Sequence, residues 1–191
     1  MSGVASVVAV PTEQVTELIA TLAARGLTVA TAESLTGGLL AALLTEIPGS
    51  SAVLRGGLVV YATDLKHSLA DVDRDLLATR GPVNPQVAAQ LADGARRRCG
   101  ASIGVGLTGV AGPDPQGGVA VGTWFCALSG PGAHRDERHA EPGSSPAGSA
   151  PFGAPGGAGS PAAGTAVRAR IRAAAVRAAL DMLANIDATE L

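Results

Sequence analysis

The sequence predicts one layered α/β domain, on three observations. Short apolar or β-branched runs alternate along the chain with longer stretches of helical periodicity. The 191 residues are enough for one ordinary core and short for two. Hydrophobic residues make up 47% of the chain and charged residues 16%, so a sizeable core can be buried.

Taken in order, Thr12 to Arg25 carries Val15, Leu18, Ile19 and Leu22 at helical spacing, with Thr12 as N-cap and Gly26 as stop. Leu27 to Thr31 reads as a short buried strand, and Gly37 to Glu46 as a helix ended by Pro48-Gly49. Leu58 to Tyr61 and Ile103 to Leu107 read as strands, with an Asn84-Pro85 helix start between them running to about Cys99. Val119 to Leu128 reads as a longer strand. From Val167 to Leu183, Ile171, Ala174, Ala175, Ala178 and Met182 line a helical face, and Arg168, Arg170, Arg172 and Arg177 read as its solvated side. Pro142 to Thr165 holds 5 Pro, 7 Gly and 4 Ser in 24 residues, with Phe152 its only large apolar side chain. That composition predicts a flexible insertion at 142–165 within a single domain spanning 1–191.

Composition also narrows the function. The net charge is -2, and the aromatics are Tyr61, Trp124, Phe125 and Phe152. Neither the bulk charge nor the stacking platforms of a nucleic-acid binder are present. Cys99 and Cys126 are too few for a disulfide framework or a four-cysteine zinc site and read as small buried hydrophobes. Met1 to Pro11 lacks the basic residues of a signal peptide, and no apolar run of about 18 residues exists. The expectation is a soluble, cytoplasmic protein without a membrane segment.

Four stretches can carry chemistry. Thr31-Ala32-Glu33-Ser34-Leu35-Thr36-Gly37-Gly38 lies between a strand and a helix, where free amides favour developing negative charge and a serine can be presented as a nucleophile. The alternative there is that Ser34 or Thr36 only caps the helix. In Tyr61-Ala62-Thr63-Asp64-Leu65-Lys66, Lys66 is a general base if burial lowers its pKa, with Tyr61 beside it, or else an exposed lysine at a helix start. No histidine has the apolar setting of a Ser-His-Asp arrangement, and His134 to His139 looks like an exposed edge. Gly104-Val105-Gly106-Leu107-Thr108-Gly109 matches a dinucleotide fingerprint, but Gly112, Pro113 and Pro115 forbid the helix that must follow. Thr108 to Asp114 reads instead as a ligand loop at a strand's C-terminal end. Arg168 is the fourth candidate, an arginine able to grip a phosphate.

In this order the runs TAESLTGG (31–38), GGLVVYATDLK (56–66), LTGVAGPD (107–114) and VGTWF (121–125) resemble the CinA C-terminal domain family, over Glu13 to Ala127 and the final helix. The resemblance implies a three-layer α/β/α sandwich with a central mainly parallel or mixed sheet. It implies a nicotinamide-nucleotide amidase in the stand-alone form called PncC, which converts nicotinamide mononucleotide to nicotinate mononucleotide and ammonia. It further implies a homodimer and no metal or organic cofactor. Carried over by position, Ser34 is the nucleophile, Lys66 its base and Tyr61 an assistant. Thr36, Gly37, Gly38 or Gly109 supply oxyanion donors, Glu33 and Thr108 orient the reactants, and Arg168 meets the phosphate.

Two departures stand out. Thr63 replaces the family's asparagine, and Ala166-Val167-Arg168 replaces its Gly-Asp-Arg, so Val167 stands where an aspartate would fix the arginine. The competing reading is a non-catalytic nucleotide- or partner-binding module of the same fold.

Overall fold

A computed structural model describes residues 3–130, 138–139 and 161–186. The elements in chain order are helices α1 (Val4–Val8) and α2 (Thr12–Ala24), strand β1 (Val29–Glu33), helix α3 (Leu39–Thr45) and a 3₁₀ turn (Ser50–Ala52). Strand β2 (Leu54–Val59) and helices α4 (Thr63–Ala70), α5 (Arg74–Arg80) and α6 (Pro85–Cys99) follow. Strands β3 (Ile103–Gly109), β4 (Trp124–Ser129) and β5 (Arg138–His139) precede the last helix, α7 (Pro161–Ala184). The five strands form one sheet in the order β2-β1-β3-β4-β5, parallel across β2-β1-β3 and antiparallel from β3 to β5.

Strand alternation separates two helical layers. On β3, Ile103, Val105 and Leu107 join the apolar cluster under α1, α2, α3 and α7. Gly104 and Gly106 face the other way, onto α6. A Cβ at Gly104 would stand 1.8 Å from the Ala92 carbonyl oxygen, and one at Gly106 2.1 Å from that of Ala88. The helix therefore lies on the strand backbone itself, and Ala88, Ala92 and Ala127 complete the contact. The apparent dinucleotide fingerprint thus has a packing explanation. On β1, Ala30 and Ala32 face the α4 and α6 layer, while Glu33 meets α3. The three-layer α/β/α architecture with a mixed sheet is the one anticipated.

Several boundaries differ. The helix expected from Thr12, α2, has Pro11 rather than Thr12 at its N-cap position, with no side-chain cap bond. Two strands are displaced from the apolar runs that suggested them. β1 runs to Glu33 because it is paired on both sides as far as that residue. β2 starts at Leu54 and includes Gly56-Gly57, the second of which has little room for a side chain because a Cβ there would meet Thr31 Oγ1 at 2.7 Å. Residues Val119 to Thr123 are not part of the strand: Val119 pairs with Gln116 in an isolated bridge, and the chain then turns through Val121 and Gly122, the latter at φ 95. Gly37 and Gly38, at φ 60 and 89, belong to the turn before α3. Helices α1, α4 and α5 carried no sufficiently long periodic pattern to be foreseen.

The last helix begins six residues before Val167, at Pro161, a residue suited to a first helical position. Of the expected insertion 142–165, residues 161–165 are therefore helical and 142–160 lie outside the described residues. The expected apolar face is also broader, since Val176, Ala179, Leu180 and Leu183 are buried. Of its four arginines only Arg170 is exposed. Arg168, Arg172 and Arg177 are part-buried and donate to the Gly112, Thr36 and Val8 carbonyls respectively, because this helix crosses the loop after β3, the turn before α3 and the end of α1. Cys126 is buried, as expected, whereas Cys99 is only partly so. Arg138 and His139 form the sheet's edge strand, and His134 lies outside the described residues. No helix among the described residues is long and apolar enough to cross a membrane.

Because the Ala92 and Ala88 carbonyls cannot withdraw without moving α6, Gly104→Ala or Gly106→Ala should lower the unfolding free energy by about 3 kcal/mol. Gly117→Ala, with nothing within 4 Å, should cost only about 1 kcal/mol for its left-handed φ. Urea denaturation of the three variants tests this ordering.

Candidate active site

Three loops meet at the C-terminal ends of β1, β2 and β3, where open parallel sheets leave a crevice. The first is the turn after β1. Ser34 is fixed by its amide, which donates to the Leu107 carbonyl at 2.9 Å, and by its own carbonyl, which accepts from Gly37 N–H at 3.0 Å. The second is Val60-Tyr61 after β2, joined to β1 by the Val60 amide on the Glu33 carbonyl at 2.9 Å. The third follows β3 and runs through Val110, Ala111 and Gly112. Together they enclose a cleft of about 100 Å³ whose walls include Ser34, Tyr61, Lys66, Thr108, Asp114 and Arg168.

Lys66 is the centre of this cleft. It projects from α4 and is only 2% exposed. Its Nζ donates to the Val60 carbonyl at 2.8 Å, to the Tyr61 carbonyl at 3.3 Å and to Ser34 Oγ at 3.0 Å. Burial disfavours the ammonium, and although the Asp64 carboxylate pulls the other way, the pKa falls from 10.5 to about 8. Once neutral, the amine keeps two N–H groups, enough for the two carbonyls, and turns its lone pair to the Ser34 hydroxyl. That is the arrangement of a serine nucleophile with a lysine base.

The other expected residues divide. Thr108 lines the cleft, its hydroxyl donating to the Pro82 carbonyl at 2.7 Å, and Gly109 lies beside it. Arg168 closes one end, donating to the Gly112 carbonyl at 2.6 Å and to the Tyr61 hydroxyl at 2.7 Å. Tyr61 touches Lys66 through its carbonyl, while the residue as a whole is 59% exposed and its hydroxyl is held by Arg168.

Glu33, Thr36, Gly37 and Gly38 do not line the cleft. Glu33 is fully buried and turned to α3. Oε1 accepts from the Ala41 amide at 2.9 Å and the Thr31 hydroxyl at 3.2 Å, and Oε2 accepts from the Leu40 amide at 3.1 Å. The carboxylate thus takes up the Leu40 and Ala41 amides at the start of α3, just beyond the Thr36 to Gly38 amides expected to hold an oxyanion, because it sits on the same strand face as α3. The Gly37 amide is likewise engaged, on Ser34. Thr36 is buried and its hydroxyl has no hydrogen-bond partner among the described residues.

Sequence reading missed the wall formed by Pro82 and Val83 and the part played by Gln116. The Asn84 helix cap, which accepts from the Val87 amide, is the signal that places Pro82 and Val83 at a loop end. Among the described residues, no group of three or more His, Cys, Asp or Glu is placed to hold a metal ion.

Comparison with known proteins gives one family. The model of the CinA C-terminal domain matches residues 12–152. A CinA-like protein of Frankia casuarinae is 53% identical over 110 residues, covering 58% of this chain and 25% of that protein. A CinA-like protein of Anaeromyxobacter sp. is 52% identical over 118 residues, 60% of this chain and 28% of the relative. The chain thus spans about a quarter of the length of these curated relatives. Among solved structures, the competence/damage inducible protein CihA from Agrobacterium tumefaciens superposes with a TM-score of 0.69 at 32% identity, over 90% of this chain and 94% of that one. A competence-damaged protein (CinA) superfamily protein from Escherichia coli also gives 0.69, at 26% identity, over 90% and 87%. The chain belongs to the CinA C-terminal domain family.

Two measurements check the site's electrostatics. The unfolded chain keeps the Lys66 proton up to about pH 10.5, whereas the folded chain releases it near pH 8. The unfolded state therefore binds more protons between these values, and the charged lysine opposes folding below them. The stability of wild type relative to Lys66→Met should rise by about 3 kcal/mol from pH 7 to pH 10.5 in urea titrations. Glu33→Gln, which leaves one of two helix-facing acceptors replaced by a donor, should cost about 2 kcal/mol at pH 7.

Proposed function

We propose that this CinA C-terminal domain is an amidohydrolase that deamidates nicotinamide mononucleotide to nicotinate mononucleotide and ammonia. The observation that carries the reading is the contact of 3.0 Å between buried Lys66 and Ser34, with the lysine pKa at about 8. Family membership supports the same reading, and the substrate rests on the resemblance of the four motifs.

In this mechanism neutral Lys66 takes the Ser34 hydroxyl proton as Oγ bonds to the carboxamide carbon. The resulting ammonium gives a proton to the amide nitrogen, the C–N bond breaks and ammonia leaves. Water then attacks the acyl-serine ester. Lys66 accepts the water's proton and returns one to Ser34 Oγ, releasing the carboxylate. The Val60 and Tyr61 carbonyls hold the lysine for both transfers. Arg168, at the cleft end, suits the substrate phosphate, and Thr108 suits a polar group of the ribose or the amide. Val167 offers no carboxylate to brace that arginine. The bonds to Gly112 and Tyr61 brace it instead. In this reading Tyr61 is a wall and a brace more than a proton carrier. The same resemblance carries the rest of the reading, a cytoplasmic homodimer that needs no cofactor.

Ammonia release from nicotinamide mononucleotide by the purified protein tests the reading, with nicotinamide riboside as the phosphate-free control. Turnover of the mononucleotide should rise with pH and level off above about 8, following neutral Lys66. Ser34→Ala should lose about 1,000-fold or more in kcat while remaining folded. Tight binding of the mononucleotide with no ammonia would overturn the amidase in favour of the binding module.

A further inference from the structure

We propose that Arg172 is a positioning residue for the nucleophile, holding the Ser34 turn from α7 without touching substrate. This rests on the reading of Ser34 as nucleophile.

The turn has a firm side and a weak one. Before it, β1 is paired on both sides and the Ser34 amide is held by Leu107. Beyond it, α3 is held at Leu40 and Ala41 by Glu33. Between them Leu35, Thr36, Gly37 and Gly38 must reverse the chain with two glycines at positive φ, the residues that lose most conformational freedom on ordering. The Thr36 hydroxyl, buried and unpartnered, does nothing to fix this segment. Its carbonyl does, accepting from the Leu39 amide at 3.2 Å and from Arg172 Nη2 at 2.8 Å. Arg172 thus ties the turn's backbone to a distant element, α7. The guanidinium also lies against Gly37, where a Cβ would be 3.7 Å from Nη2.

Arg172 is absent from the cleft walls, unlike Arg168 one helical turn earlier. The same face of α7 therefore grips the Tyr61 hydroxyl and the Gly112 carbonyl with one arginine and the Ser34 turn with the next. Release of the second grip frees the turn to shift, and a displacement of the nucleophile by about 1 Å is worth on the order of 100-fold in rate. Substrate contacts, made elsewhere in the cleft, stay as they are.

The test compares Arg172→Met and Arg172→Lys with wild type by two readouts: ammonia release, and the rate at which a fluorophosphonate reagent labels Ser34, followed by mass spectrometry. Arg172→Met should lower kcat and the labelling rate about 10- to 100-fold, with KM within about twofold. Arg172→Lys, which keeps a donor able to reach a carbonyl, should recover part of the loss. Should Arg172→Met fail to fold, Arg172→Lys still has to label more slowly than wild type at unchanged KM. Equal labelling of Ser34 in wild type and either folded variant overturns the proposal while leaving the amidase reading intact. A rise in KM with kcat unchanged also overturns it, by making Arg172 a substrate contact. A wild type whose Ser34 is not labelled removes the nucleophile and the proposal together.

Discussion

Placing an amine on a buried side chain and surrounding it with two carbonyls and a hydroxyl is the constraint from which the site follows. Lys66 gains enough from the Val60 and Tyr61 carbonyls to stay inside, but burial still favours the neutral form. The carbonyls are available because β2 ends at Val59 and leaves the next two residues without ladder partners on their far side. Ser34 is near because β1 and β2 run parallel in register, Glu33 against Val59, so both chains leave the sheet at the same level. The chemistry is thus a property of where two adjacent strands stop.

A second wall of the site is shaped by α6, which shares a layer with α4. Bringing α6 onto the bare backbone of β3 at Gly104 and Gly106 fixes the helix closer to the sheet than any side chain would allow. The segment entering α6 then passes beside the end of β3, and the Thr108 hydroxyl joins it through the Pro82 carbonyl. A packing device deep in the domain therefore shapes one wall of a cleft at its rim.

Much of this was legible from the residues. The helix over Thr12–Ala24, the Asn84-capped α6 and the strand from Ile103 all follow local rules of periodicity and capping, which need no partner to be read. Strand ends were read less well, since β1 and β2 begin and stop where neighbours pair with them, information absent from either segment alone. Ser34, Lys66, Thr108 and Arg168 converge as their motifs suggested. Glu33, Thr36, Gly37 and Gly38 share a motif with Ser34 yet serve the turn and α3: alternation along β1 sends Glu33 to the α3 face, and the other three form the turn itself. The arginines of α7 looked like surface because helical periodicity reports only where apolar side chains point. It carries no sign of loop carbonyls waiting across the domain.

Arg168 reaches Tyr61 across 107 positions of sequence, and Arg172 reaches Thr36 across 136. Synthesis on the ribosome proceeds from the N-terminus, so Ser34 and Lys66 emerge before the helix that braces their surroundings. A nascent chain holding only the first five helices, the 3₁₀ turn and β1–β2 has both reactive groups and none of the α7 braces. The bonds from α7 to Tyr61 and Thr36 can form only once that helix has been made, so the surroundings of Ser34 and Lys66 are completed from the far end of the domain.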